Sequence, residues 1–401
     1  ARGIDEPWAG QAGASMSVST LPIREEYFDN DPTGVEVEDL EPSDSIVRPW
    51  DPASIRVSTK SFSLRQVPDQ IHDNDIELAP DFQRNKVWKS EQKSRLIESV
   101  LLQIPLPAFY FAEDSDGRFR VVDGLQRLST VYDYVHTDAS PSFPRLTGLE
   151  YLKEADGRTF DELPLPWRRR INNTQIVVHV IDPTTPPEVK YDIFRRINTG
   201  GSPLNSQEIR HCMSKQRSRD FLKRCAATKE FNLATGGALR NHVRMEDREM
   251  VLRFCAFRLL GIDSYATIAN GALDVFLERA TDHLDDPALA ADPELERLFE
   301  EFRTAMSNAY HVFGDHTFRK WPLGSDRRNP VNRPLFETWS MALADHTLAD
   351  LADRRDAIVR AARTLMATDT EYITAITSST GGIGRVRCRF DRAFRAAGAG
   401  R

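Results

Sequence analysis

Strand-like segments occur only in the first half of this 401-residue chain. Short apolar stretches bounded by turn residues predict strands at 76–80, 108–112, 118–123 and 174–182, alternating with helical patterns such as the one over 89–105. Asp114-Ser115-Asp116-Gly117, between the second and third of these strands, predicts a β-hairpin. From about residue 206 onward, the apolar residues recur almost entirely at helical spacing. The sequence therefore predicts an α+β protein, in which a small mixed α/β domain over 49–205 precedes a mostly α-helical domain over 206–401.

The first 48 residues differ in composition from the rest. Nine acidic residues and no basic residue lie between Glu25 and Asp44, and Pro32, Gly34 and Pro42 interrupt the stretch. Clustered like charges with few apolar residues predict a disordered acidic arm over residues 1–48. A solvated linker is the simpler interpretation, and a mimic of a nucleic-acid backbone is the alternative.

Composition limits the functional classes. Hydrophobic residues make up 40% and charged residues 28%, as in ordinary globular proteins, and no apolar stretch approaches the roughly 18–20 residues of a membrane span. The N-terminus lacks the apolar core of a secretion signal, and four scattered cysteines form no CxxC pair, so we expect a cytoplasmic protein. A net charge of −7 argues against a protein that coats nucleic acid but permits a local basic groove.

The motif Asp123-Gly124-Leu125-Gln126-Arg127 stands where a strand pattern changes into a helical pattern. A helix N-terminus favours anions, and Gly124 permits a close approach to its backbone. Arg127 suits phosphate oxygens, Asp123 suits Mg²⁺ or a water molecule, and Gln126 suits a water or a base edge. The structural alternative makes Asp123 an N-cap, Gly124 a turn residue and Arg127 an ordinary surface arginine.

Two further stretches contain polar residues in unusual settings. Gln83 and Arg84 lie between a predicted strand and a predicted helix. A charged residue in this setting either binds a ligand or forms a salt bridge at the rim of the domain. Arg196 and Asn198 lie at the end of a helix before two glycines, without an evident structural role. We expect Asn205 and Glu208 to form a structural capping box at the start of the next helix.

Together these stretches resemble the N-terminal domain of GmrSD-type restriction proteins, also called domain of unknown function 262. The matching residues are Phe82-Gln83-Arg84…Trp88, Asp123-Gly124-Leu125-Gln126-Arg127, and Phe194…Ile197-Asn198…Gly200…Leu204…Glu208. The resemblance covers about 55–395. Leu125 departs from the family, which usually has Gln there, so the choice of nucleotide stays open.

The resemblance implies a ParB/sulfiredoxin-like core, in which a Gly-x-x-Arg turn at a helix start meets nucleotide phosphates. It implies an NTP-binding and NTP-hydrolysing module of a phage-defence system that couples nucleotide state to recognition of DNA or modified DNA. We assign catalysis to Asp123 and Gln126, and a magnesium ion to Asp123. Phosphate binding is assigned to Gly124, Arg127, Gln83, Arg84, Arg196 and Asn198.

Two alternatives stay open. The turn of the motif can grip DNA phosphate in a non-catalytic DNA-binding or regulatory module, or Asp123 can serve a ParB-like, metal-dependent DNA nickase. Larger family members add a His-Asn-His nuclease, and this sequence shows no such site. We therefore expect either a family member without a nuclease domain, whose nuclease partner is a separate protein, or a chain cut before its nuclease.

Basic residues cluster in two places within the predicted helical domain. Such clusters supply the salt-sensitive part of DNA binding, although a solvated helix face is the structural alternative. The predicted nucleic-acid contacts are Arg319, Lys320, Arg327, Arg328, Arg333, Arg385, Arg387 and Arg389.

Overall fold

The computed structural model describes residues 22–28, 30–40, 55–78, 88–114, 116–136, 143, 145–197, 205–242, 244–267 and 272–398. The chain divides into two compact units. We call one the sheet unit (42–232 and 239–303) and the other the hairpin unit (1–41, 233–238 and 304–401).

The regular elements alternate in the first half of the chain and become helical in the second. The strands are β1 (Glu25–Phe28), β2 (Asp31–Glu36), β3 (Val57–Ser63), β4 (Ile76–Glu77), β5 (Phe109–Glu113), β6 (Phe119–Asp123) and β7 (Gln175–Ile181). The helices are α1 (Gln66–His72), α2 (Ser90–Leu101), α3 (Leu125–Val135), α4 (Leu165–Asn173), α5 (Pro187–Ile197), α6 (Ser206–Met213), α7 (Gln216–Ala226), α8 (Lys229–Thr235), α9 (Glu246–Leu260), α10 (Ile262–Thr267), α11 (Leu273–Asp285), α12 (Asp292–Phe313), α13 (Arg333–Leu343), α14 (Leu348–Thr368), α15 (Thr370–Ala375) and α16 (Ile383–Ala397). This distribution confirms the predicted α+β class.

The sheet unit is built on a mixed sheet of strand order β3-β7-β5-β6-β4 in the described residues. β5 pairs antiparallel with β6 and parallel with β7, and Tyr110 of β5 lies opposite Asp123 of β6. Gly117, in the turn that joins β5 to β6, has a φ of 85°, as its place in the predicted hairpin requires. The end of β6 therefore lies beside the start of β5.

Helices cover both faces of this sheet. Alternate residues of a strand point to opposite faces, so Phe111 joins one apolar cluster and Ala112 joins the other. The first cluster includes buried residues of α2 and α3, such as Val100 and Leu128. The second joins α5 and α6 to the sheet, and Ile209 of α6 is buried in it.

The second cluster explains why the domain boundary predicted at residues 205 and 206 does not match the observed units. α6 buries Ile209 against the sheet, and α9 and α11 pack against α6 and against α7, so these helices extend the sheet unit as far as residue 303. The hairpin unit instead combines the N-terminal residues with the C-terminal helices. Within the described residues, no helix has the length and apolar character needed to span a membrane.

The hairpin unit corrects the prediction of a disordered acidic arm. β1 and β2 form an antiparallel hairpin, and Glu36 forms a buried ion pair with Lys320 at 2.5 Å. The backbone N–H of Glu36 donates to the Val331 carbonyl at 2.8 Å, and Asn332 donates to its carboxylate at 3.0 Å. The prediction was wrong for residues 22–28 and 30–40, because Glu36 and Glu26 meet cations 284 and 307 positions away along the chain. Residues 1–21, 29 and 41–48 of the predicted arm lie outside the described residues.

Candidate phosphate-binding turn at the start of helix α3

The centre of the candidate site is the turn between β6 and α3. Gly124 is the N-cap residue of α3, with φ 100° and ψ 8° in the left-handed region. A Cβ atom at this position would overlap the ring of Phe109, the first residue of β5. Glycine is therefore needed both for its backbone conformation and for the space that the ring occupies.

The first turn of α3 carries no side-chain cap. The alternative in which Asp123 caps the helix is therefore wrong, because Gly124 holds the N-cap position and Asp123 pairs with Arg127 instead. The backbone N–H groups at a helix start have no partner within the helix. These groups lie at the positive end of the helix dipole, so this turn is a suitable place for an anion.

Arg127 is fixed by four neighbours. Its Nη2 donates to Asp123 Oδ2 at 2.7 Å and to the Ala108 carbonyl at 3.4 Å, and its Nη1 donates to the Pro107 carbonyl at 2.5 Å. The guanidinium carbon lies 4.3 Å from the centre of the Phe109 ring. These bonds use three of the five N–H groups, so Nε and one Nη1 hydrogen have no acceptor among the described residues.

Burial changes the electrostatics of this arginine. Loss of solvent lowers the pKa of Arg127, and the neighbouring Asp123 carboxylate offsets part of that effect. An arginine remains charged at neutral pH even after such a shift, because its ordinary pKa lies so far above 7. The turn therefore presents a permanent cation whose direction is set before any ligand arrives.

The residues that position Arg127 from the start of β5 and the two positions before it were not identified in the sequence. Pro107 and Ala108 act through backbone carbonyls, and Phe109 acts through its ring face. The apolar residues of a strand predict burial, but they carry no sign of which cation lies against them. The one available signal was the predicted hairpin, which brings the start of β5 beside the end of β6.

Residues 67–214 match the family model for the N-terminal domain of the GmrSD restriction endonuclease. These residues form a domain of the GmrSD N-terminal family. The matched segment runs from α1 through α6 and contains the whole Asp123–Arg127 turn. Neither the curated proteins nor the solved structures compared with the chain gave a match. The family associates the chain with restriction and phage defence.

Trp88 brings the first of the three matching stretches, Phe82-Gln83-Arg84…Trp88, next to the turn. The backbone N–H of Trp88 donates to Gln126 Oε1 at 3.4 Å, and the indole packs against the core of the sheet unit. The side-chain oxygen of Gln126 thus ties the end of the first motif to the second. Gln83 and Arg84, which precede Trp88 in that motif, lie outside the described residues.

The third matching stretch, Phe194…Glu208, contains a capping box that the sequence predicted. Asn205 and Glu208 form the predicted capping box at the start of α6, with both hydrogen bonds at 2.7 Å. Glu208 also pairs with Arg244 at 3.3 Å and is almost fully buried, which supports its structural role. Arg196 is exposed on α5 and forms no hydrogen bond or ion pair with the turn among the described residues, and Asn198 lies outside them.

Four of the eight predicted nucleic-acid contacts are buried and have other partners. Lys320 pairs with Glu36, Arg389 pairs with Glu337, and Arg333 donates to Glu26 at 3.0 Å. The prediction that these three residues contact DNA was therefore wrong. A buried cation that already pairs with a carboxylate of the protein cannot reach a DNA phosphate.

Arg319 is the fourth buried residue of this set, and its assignment to DNA is also corrected. Its Nη atoms donate to the carbonyls of Thr235 and Asn329 at 2.6 and 2.5 Å. Burial, with a smaller effect of nearby Arg328, lowers the pKa of Arg319 to about 10. Thr235 ends α8, so Arg319 satisfies a carbonyl at the negative end of that helix. The predicted contacts that remain solvent-accessible are Arg327, Arg328, Arg385 and Arg387.

The donor set around Asp123 is compatible with one type of metal site. The described residues contain no group of three or more His, Cys, Asp or Glu side chains that could hold a metal ion. Magnesium in nucleotide sites is held by one or two carboxylates together with phosphates and water. Asp123 Oδ1, which has no partner in the described part of the chain, fits the single protein ligand of such an ion.

A separate cleft of the sheet unit does not suit a nucleotide. It has a volume of about 1140 Å³, and its lining contains no residue of the Asp123–Arg127 turn. Nine acidic side chains line it against six basic ones. Arg120 and Arg219, two of the six, already pair with Asp114 and Glu77. A polyphosphate would be repelled there, so the turn is the better candidate despite the size of the cleft.

Proposed function

We propose that this protein is an NTP-binding and NTP-hydrolysing module of a restriction or phage-defence system, in which nucleotide state governs recognition of DNA. One observation carries the proposal: the uncapped start of α3, opened by left-handed Gly124, lies beside a pre-oriented Arg127. Membership of the GmrSD N-terminal family supports the biological setting.

Each residue of the turn has a separate part in this proposal. The helix start and the two unused N–H groups of Arg127 bind phosphate oxygens. Asp123 would hold the magnesium ion that accompanies the nucleotide, and the ion would supply charge neutralisation for phosphate transfer. Gln126 Oε1 is engaged by Trp88, so the side-chain amide N–H groups of Gln126 orient water or nucleotide.

The DNA-facing part of the proposal rests on the solvent-accessible arginines of the hairpin unit. Arg327 and Arg328 are exposed on the loop before α13, and half-buried Arg385 and exposed Arg387 lie on the first turns of α16. None of these four side chains forms an ion pair with a carboxylate of the described residues. They are therefore suited to contact phosphates rather than to read bases.

Phosphate release from ATP, GTP, CTP and UTP, with and without unmodified or base-modified duplex DNA, tests the proposal. We expect turnover of at least one nucleotide, stimulated by DNA, and loss of nucleotide affinity in Arg127→Gln. A charge-assisted, two-bond contact is worth about 1.5–3 kcal/mol, or roughly 10- to 150-fold in affinity. Glu300→Gln is the control, because Glu300 makes an exposed helix pair with Arg303 at 3.1 Å.

A second candidate function is a non-catalytic DNA-binding module. Two observations favour it: Asp123 is paired with Arg127, and the described residues contain no group of three or more His, Cys, Asp or Glu side chains that could hold a metal ion. DNA binding that persists without nucleotide, together with no phosphate release in the whole panel, would select this function. The same absence of a metal-binding group gives the nickase no support, and a plasmid-nicking assay with Mg²⁺ or Mn²⁺ tests it.

A further inference from the structure

The Asp123–Arg127 ion pair is asymmetric. The Arg127 side chain is 13% exposed and is also held by the carbonyls of Pro107 and Ala108 and by the Phe109 ring. The Asp123 side chain is 34% exposed, and Arg127 is its only side-chain partner among the described residues. Asp123 can therefore leave the pair, while the remaining contacts keep Arg127 in position.

The closed pair makes the turn unattractive to a bare polyphosphate. Asp123 neutralises the guanidinium at 2.7 Å, and its carboxylate faces incoming phosphate oxygens with like charge. A divalent cation bound to the phosphates reverses this effect, because hard cations prefer carboxylate and phosphate oxygens. The charge that repels the metal-free ligand thus attracts the metal complex.

We propose that Asp123 exchanges partners when ligand binds: it leaves Arg127 for the divalent cation of a metal–polyphosphate complex, and Arg127 takes the phosphate oxygens in its place. The exchange makes the metal complex the ligand of the turn and excludes the metal-free form. This inference rests on the proposed nucleotide site and deepens it. No covalent bond changes, since one ion pair is replaced by two.

The geometry of the turn limits movement to the side chain of Asp123. The backbone cannot rearrange freely at Gly124, because the Phe109 ring fills the space beside its Cα. Arg127 stays against the same ring and carbonyls, so its orientation costs little when phosphate arrives. A pre-oriented arginine and a mobile carboxylate are the two components that such an exchange requires.

Isothermal titration calorimetry with inorganic tripolyphosphate tests the inference, because this probe carries the phosphates of a nucleotide without a base. The full chain is titrated with excess Mg²⁺ and again with EDTA. We expect the wild type to bind the magnesium complex at least about tenfold more tightly, which corresponds to one charge-assisted contact. In Asp123→Asn the ratio falls to near one and the metal-free affinity rises, because the amide neither neutralises Arg127 nor attracts the cation.

Two further variants complete the design. Arg127→Gln loses binding in both conditions, whereas Glu300→Gln, which removes an exposed carboxylate of another pair, keeps the wild-type ratio. Circular dichroism and thermal unfolding check that each variant is folded. Should Asp123→Asn fail to fold, Asp123→Ser replaces it, and the ratio measured for the wild type still decides the inference.

The outcomes separate this inference from the proposed function. Equal wild-type affinity with and without Mg²⁺, or an unchanged ratio in the folded Asp123 variant, overturns the partner exchange alone. No binding of tripolyphosphate or of any of the four NTPs in either condition overturns the proposed nucleotide site and the exchange together.

Discussion

At the residue scale, Gly124 shows how one position serves two requirements. Its φ of 100° is costly for any residue with a side chain, and the Phe109 ring occupies the place of a Cβ. Gly157 has a similar φ of 77°, but nothing lies within 4 Å of its Cβ position. The two glycines therefore share the backbone requirement and differ in the steric one.

We expect Gly124→Ala to destabilise the sheet unit more than Gly157→Ala does. Both variants adopt an unfavourable left-handed conformation, whereas the first must also displace a buried ring, at an additional cost of about 1–3 kcal/mol. Urea unfolding, followed by circular dichroism, measures the difference. Equal losses of stability in the two variants would mean that the ring yields without cost.

At the element scale, α2 holds a distant loop through one carboxylate. Glu98 is buried, and its oxygens accept the backbone N–H groups of Glu150, Tyr151 and Leu152 at 3.0, 2.7 and 2.8 Å. Burial by itself would raise the pKa of Glu98, but the three N–H donors outweigh it and the pKa lies below its ordinary value. The carboxylate thus replaces the backbone partners that this loop lacks.

This pKa direction predicts a pH-dependent contribution to stability. A carboxyl whose folded pKa is lowered stabilises the fold above its unfolded pKa, and this contribution is lost as pH falls through the folded value. At pH 7 we expect Glu98→Gln to cost about 1–3 kcal/mol, with the gap to wild type closing below about pH 4. Unfolding curves across this pH range check it, with Glu91→Gln, an exposed position on α2, as the control. A gap that does not change with pH would assign the loss to packing.

At the scale of the whole molecule, the basic side chains fall into two groups: some are buried in ion pairs, and others are exposed to solvent. In the hairpin unit Lys320, Arg333 and Arg389 are buried with carboxylate partners. Arg327 and Arg328 are exposed on the same part of the chain. A net charge of −7 therefore coexists with a locally basic, exposed surface, which is the part of the hairpin unit that the proposed DNA contact requires.

We expect Arg327→Gln with Arg328→Gln to weaken duplex DNA binding for all sequences alike. Each lost phosphate contact should flatten the slope of log K against log [salt] by roughly 0.9. Fluorescence anisotropy at several salt concentrations measures that slope. Arg118→Gln is the matched control, because Arg118 is 63% exposed in the sheet unit and lines the acidic cleft. A slope unchanged by the double variant would remove this loop from the DNA-binding surface.

The local pattern of residues determined much of this protein. Apolar periodicity placed β5, β6, β7, α2 and α3 near their observed positions, and the Asn205–Glu208 capping box follows from a spacing of three residues. These features depend on neighbours within one or two turns, so a sequence displays them directly. The turn at Gly124 was predicted for the same reason.

Only the tertiary structure decided which charges are available. Glu36 meets Lys320, and Arg127 meets the Pro107 carbonyl, through pairings that no local pattern contains. A basic cluster looks the same in sequence whether its members face solvent or a buried carboxylate. Burial depends on elements that pack together from distant parts of the chain, and that packing turned a predicted acidic arm into a folded hairpin.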